Sequence, residues 1–215
     1  WLGCYSGLYM FDGYSLTPFY YNPNDTLTIS DNKIKKLLED RHGNIWVGTQ
    51  MGLNYFDTRK KTFQHYNNKE KNGIGDVEIY DLKQDEQGRI WVAAADGLYQ
   101  KEPGSRLFKK RFPAERDTAL VPSVHAIELT AQGIYFCSPP GLFHLDVVSG
   151  KTVAILSKKT LYARAPTEYI STQQDHSGNI WIGTGLGLFS YQPLSDNGII
   201  AHPAFYRQPV SFVGK

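Results

Sequence analysis

The sequence predicts an all-β fold made of about five copies of one four-stranded unit, on three observations. A large aromatic residue returns at Trp1, Trp46, Trp91, Tyr135 and Trp181, in steps of 45, 45, 44 and 46 residues. A Gly-Leu pair follows six residues after each one: Gly7-Leu8, Gly52-Leu53, Gly97-Leu98, Gly141-Leu142 and Gly187-Leu188. The chain is rich in glycine and in Tyr and Phe, which suits short strands joined by tight turns. A period near 45 with aromatic-rich strands indicates propeller blades. The expected architecture is a β-propeller fragment with blades at 1–32 (lacking its inner strand), 33–77, 78–122, 123–167 and 168–215.

The elements follow in order. Trp1-Leu2-Gly3 is read as the second strand of the first blade, and Phe11-Asp12 closes its third. Pro18–Tyr21 is its outer strand and Asn22–Asp25 a turn. Lys33–Asp40 has helical apolar spacing. Its counterparts Ile79–Lys83, Val124–Glu128 and Tyr169–Gln173 are β-branched and aromatic, so 33–39 is read as a strand, the innermost of its blade. A turn follows in which Asp can accept backbone hydrogen bonds and Gly supplies positive φ: Asp40/Gly43, Asp85/Gly88 and Asp175/Gly178, with Thr130/Gly133 departing. Ile-Trp opens the second strand and Gly-Leu the third. Fourth strands are expected over Thr62–Tyr66, Leu107–Phe112, Thr152–Leu156 and roughly Ala204–Gln208. The variable Pro-, Gly- and Lys-bearing segments between blades are loops.

The net charge of +2 offers no bulk electrostatic case for nucleic-acid contact. The apolar runs are short and broken by charge, so no segment is expected to span a membrane. The chain opens inside a repeat and is read as a fragment of a larger multi-domain protein. Either Val210–Lys215 closes a five-bladed ring or the blades form an arc of a larger one, the arc being favoured. Cys4 and Cys137 lie three blades apart and are expected to be buried free thiols.

No phosphate-cradling Gly loop, zinc-ligand spacing or Gly-x-Ser-x-Gly elbow occurs, so no catalytic residue, metal or cofactor is assigned. The repeated aromatics are read as packing residues rather than sugar platforms, and the Asp–Gly turns as fold stabilisers. Asp81, His125 and Glu128 on inner strands are the remaining candidates for acid–base chemistry, with no motif to fix them. Ligand-binding candidates are the blade-connecting residues Lys71, Arg116, Lys159, Tyr162 and Arg164. Such a cationic set with a Tyr could hold an acidic or sulfated sugar, against the plainer reading of solvated loop charges.

The turn-Ile-Trp-hydrophobic-Gly-Thr-x-x-Gly-Leu pattern resembles the two-component regulator propeller repeat. Glu39–Thr49 and Asp175–Thr184 match it most fully; Asp85–Leu98 has Ala94 in place of Thr, and the Tyr135 copy is degenerate. The resemblance implies the periplasmic sensor part of a hybrid two-component system of the Bacteroides type. In that family two seven-bladed propellers and a β-sandwich precede a membrane helix, a histidine kinase, a receiver and a DNA-binding region. It further implies an oligosaccharide ligand, a homodimeric, inner-membrane-anchored parent, a role in transcription regulation, and no catalysis by this fragment itself. A protein-interaction scaffold is the alternative, and a streptogramin-lyase-like propeller enzyme ranks third.

Overall fold

The computed structural model describes residues 1–66, 73–113, 123–139, 141–157, 169–185, 187–193 and 199–202. Among them every regular element is a strand, and the strands form five antiparallel sheets. The chain divides into two units, Trp1–Asp117 and Thr118–Lys215.

Unit 1 holds three sheets. The first has three strands, β1 (Leu2–Cys4), β2 (Gly7–Phe11) and β3 (Leu16–Phe19). The second runs β4 (Ile34–Glu39), β5 (Ile45–Thr49), β6 (Gly52–Asp57) and β7 (Thr62–Tyr66). The third runs β8 (Ile79–Gln84), β9 (Ile90–Ala94), β10 (Gly97–Lys101) and β11 (Phe108–Phe112). Unit 2 holds β12 (Ala126–Thr130), β13 (Gly133–Ser138), β14 (Gly141–Leu145) and β15 (Thr152–Ser157), then β16 (Tyr169–Gln174), β17 (Ile180–Thr184), β18 (Gly187–Tyr191) and β19 (Ile199–Ala201). Each sheet is an up-and-down meander, the form of a propeller blade. The helix-like Lys33–Asp40 segment is indeed a strand, since tertiary pairing with β5 overrides local spacing.

Within each unit, neighbouring sheets pack face to face, which explains why the second strands read as unbroken apolar runs. All five residues of β5 are buried. Alternation sends Ile45 and Val47 into a core with Leu8, Ile29, Phe56 and Phe63. Trp46 enters the opposite core with Tyr66, Ile79, Val92, Tyr99 and Phe108. Burying about 200 Å² of indole contributes up to about 5 kcal/mol. In unit 2, Tyr135, Cys137, Leu142, Ile180, Ile182 and Phe189 form the equivalent core. The glycine two residues after the repeated Trp lets the next inner strand come close. A Cβ on Gly48 would lie 2.7 Å from the Ile79 Cγ2, and one on Gly3 2.5 Å from the Ile34 Cγ2. Among the repeated aromatics, Trp46, Trp91 and Tyr135 are buried, while Trp1 and Trp181 are half-buried.

Four details differ from the expectation. The outer strand of the first sheet is Leu16–Phe19 rather than 18–21, because the Tyr21 amide donates instead to the Asn32 Oδ1 at 2.8 Å. β12 starts at Ala126, not Val124. The strand beside β18 is Ile199–Ala201, and His202 then stacks on Trp181 at 4.6 Å; the expected span 204–208 lies outside the described residues. Both cysteines are free, but only Cys137 is buried; Cys4 is exposed because it ends the edge strand β1, whose residues all face solvent.

Candidate functional site

The repeated turn residues hold the blades together. Asp40 Oδ1 accepts from the amides of His42 and Asn44 at 2.9 and 3.0 Å, and Asp85 and Asp175 repeat the arrangement. The second oxygen of Asp85 accepts from Trp91 Nε1 at 2.7 Å, and that of Asp175 from Trp181 Nε1 at 2.8 Å. Trp46 departs: its Nε1 is buried without a hydrogen-bond partner. Its ring packs instead on Tyr55, Tyr66 and Phe108, with the Lys101 ammonium 5.5 Å from the ring centre. Burial lowers the pKa of that lysine. Where Thr ends the second strand, its hydroxyl donates across the turn, Thr49 to the Gly52 carbonyl at 2.8 Å and Thr184 to Gly187 at 2.9 Å.

The Asp175 carboxyl is held down at about 2, against an ordinary 3.8, by hydrogen bonds from Asn179 and then Trp181. The folded state therefore binds this proton less tightly than the unfolded chain does. Its stabilising effect is complete above the unfolded pKa of 3.8 and drains away as pH falls through about 2. Melting curves between neutral pH and this acid window should show Asp175→Asn losing its disadvantage relative to the parent as the pH drops. A difference that stays constant across that window would refute the linkage.

A different group gathers where the inner strands of unit 1 begin. Both β4 and β8 carry a β-bulge there: the register steps from Ile34/Thr49 to Lys36/Gly48, and from Ile79/Ala94 to Asp81/Ala93. Lys35 and Tyr80 are the extra residues, released from strict alternation and re-aimed. The Lys35 ammonium meets the Glu78 carboxylate at 2.6 Å and sits 5.5 Å from the centre of the Tyr5 ring. The Tyr80 hydroxyl donates to the other Glu78 oxygen at 3.1 Å. One residue further along, Lys36 pairs with the buried Asp81 at 2.8 Å. Hydrogen bonding to Glu78 raises the Lys35 pKa, so the lysine stays charged at neutral pH. A partly exposed pair of this kind contributes at most about 1 kcal/mol to stability, so its interest lies in the donor and acceptor it presents.

The loop candidates Lys71, Arg116, Lys159, Tyr162 and Arg164 all lie outside the described residues. Of the acid–base candidates, Asp81 is committed to Lys36 and to the Leu82 amide at 2.9 Å. Glu128 accepts from the Gln174 amide at 3.0 Å and so ties β12 to β16. Among the described residues no cluster of His, Cys, Asp and Glu could hold a metal ion. The described residues include no helix long and apolar enough to cross a membrane, which does not bear on β-barrels. Sequence reading missed Tyr5, Lys35, Glu78 and Tyr80. One signal was available: inter-blade partners lie close to one period apart, as with Lys36 and Asp81, or Glu128 and Gln174.

A family model described as two component regulator propeller matches residues 28–51 and 73–96. Two stretches of the chain are thus similar to the two-component regulator propeller repeat. The matched stretches cover an inner strand, the Asp turn and the second strand in two adjacent blades, and so include Lys35, Glu78 and Tyr80. Among solved structures, the extracellular domain of the hybrid two component system BT3049 from B. thetaiotaomicron is similar, with a TM-score of 0.66 and 19% identity over 86% of this chain and 24% of that one. The extracellular domain of BT4673 from the same organism gives 0.63 and 16% over 93% and 31%. Virginiamycin B lyase from Staphylococcus aureus gives 0.60 and 13% over 88% and 60%. At these identities the likeness establishes the fold, and the chain spans about a quarter to a third of the length of the two extracellular domains. No curated protein matches the chain.

Proposed function

We propose that these blades are part of the extracytoplasmic, ligand-sensing region of a hybrid two-component sensor that responds to polysaccharide-derived oligosaccharides. The observation that carries the reading is the regulator-propeller match over two adjacent blades. The fold likeness to extracellular domains of two hybrid systems supports it. In this reading the blades bind and do not catalyse, the region lies in the periplasm, and the anchored parent signals as a homodimer. A lyase-type alternative shares the fold. It would need a pair of titratable groups poised for proton transfer, whereas Asp81 and Glu128 are engaged in holding neighbouring inner strands together.

Thermal unfolding of the full-length extracytoplasmic region against a panel of neutral and acidic oligosaccharides tests this. A ligand that binds only the native state stabilises it by about 2.7 kcal/mol at a hundred times its Kd. One glycan class should raise the melting temperature, with the glycan recovered intact. No shift across the panel would refute glycan sensing and transfer weight to a protein-interaction scaffold. A cleaved or eliminated product would establish an enzyme instead.

A further inference from the structure

Tyr5, Lys35, Glu78 and Tyr80 come from three adjacent blades and meet at one end of unit 1. None of the four belongs to the turn devices or to the apolar cores that hold the sheets together. We infer that this cluster is a binding subsite for a neutral, hydroxyl-rich ligand, a pyranose unit of an uncharged oligosaccharide. The inference rests on the sensing reading above and goes further by placing the contact and choosing the charge class.

Tyr5 stands at the tip of the β1–β2 turn and is 72% exposed. A planar ring so placed offers an apolar face to the C–H face of a sugar, while its hydroxyl interacts with the Lys35 ammonium. Beside it, Lys35 and Glu78 hold a donor and an acceptor 2.6 Å apart. Two neighbouring hydroxyls of one sugar ring can engage such a pair together, one accepting from the ammonium and the other donating to the carboxylate. Glu78 is held from its other side by the Tyr80 hydroxyl, which orients the carboxylate before any ligand arrives. The bulged residues Lys35 and Tyr80 sit on paired strands rather than on free loops, so the groups are pre-organised.

Charge decides the class. Lys35, Lys36 and Lys110 are each matched by a carboxylate, Glu78, Asp81 and Asp96 respectively. An anionic sugar would have to compete with these internal partners, and Glu78 would repel it. A neutral sugar meets no such cost.

The test uses the full-length protein with cellohexaose, xylohexaose and mannohexaose as neutral probes and a chondroitin sulfate hexasaccharide as the sulfated one, by titration calorimetry at low and high salt. A neutral hexaose should bind with an affinity little changed by salt. Tyr5→Ala should weaken it about tenfold, or about 1.4 kcal/mol, without moving the melting temperature of the unliganded protein. Glu78→Gln should also weaken binding. Neutral binding that survives Tyr5→Ala unchanged would overturn the placement and leave sensing intact. Binding confined to the sulfated probe, with a steep loss in salt, would overturn the charge class. Failure of every probe to bind would overturn the sensing reading and the subsite together.

Discussion

Gly97→Ala is expected to be among the most damaging small substitutions in unit 1. Gly97 opens β10, the third strand of its blade, with φ at +148°. An L-residue there costs about 1–3 kcal/mol in backbone strain alone. A methyl group would also arrive 2.1 Å from the Phe112 carbonyl oxygen, which is backbone and cannot swing away. Relief requires β10 to part from β11 at the place where their register already shifts, between Leu98 and Tyr99. Leu98 and Tyr99 are fully buried, so that separation disturbs the core. The combined cost is about 4 kcal/mol, a large fraction of the roughly 5–15 kcal/mol that stabilises a typical domain. For a unit of this size the melting temperature should fall by about 15 °C. Gly104→Ala is the control: its φ is also positive, +75°, but nothing lies within 4 Å of the added Cβ. It should cost only about 1 kcal/mol. Equal losses for the two variants would show that φ alone matters and that the β10–β11 approach does not.

The repeated Gly-Leu pair was legible in the sequence because its cause is local and identical in every copy. The same holds for the Asp turn and for the conversion of Lys33–Asp40 from a helix-like pattern into β4. What stayed hidden depends on pairings that local pattern does not show. Tyr21 leaves its strand because Asn32, eleven residues on, takes its amide. The bulge at Lys35 exists because β4 gains one residue against β5, and no residue type announces that gain. Lys35 and Tyr80 occupy the same place in their repeats, yet one is a cation and the other a phenol. A pattern search looks for sameness and passes over such a pair. The strong cationic pattern lay in the blade-connecting segments, and it drew the site reading to Lys71, Arg116, Lys159, Tyr162 and Arg164, outside the described residues. Near one end of unit 1, charge is instead neutralised in pairs, which composition cannot reveal.

The repeated aromatic should not be energetically equal in every blade, and Asp85→Ala is expected to show it. Asp85 accepts from the amides of Gln87 and Arg89, from the Arg89 Nε at 2.6 Å and from the Trp91 Nε1 at 2.7 Å. Trp91 is fully buried, so removing the carboxylate leaves its N–H without that partner, at about 1–3 kcal/mol. The turn amides and the Arg89 pair add to the loss, for a total of about 3–4 kcal/mol. Asp40→Ala removes the same turn acceptor, but no indole depends on it, because the Trp46 Nε1 has no hydrogen-bond partner. Its cost should be about half as large. The difference can be isolated by a double-mutant cycle read from denaturant midpoints. Asp85→Ala and Trp91→Phe should couple by about 1–2 kcal/mol, whereas Asp40→Ala and Trp46→Phe should be additive. Additivity in both pairs would mean that the Trp91 N–H hydrogen bond carries no stability of its own. Coupling in both would mean that Trp46 reaches Asp40 in solution. The outcome separates two uses of one sequence motif: in the third sheet the indole is fixed by its polar edge, and in the second by the aromatic rings of Tyr55, Tyr66 and Phe108 around its face.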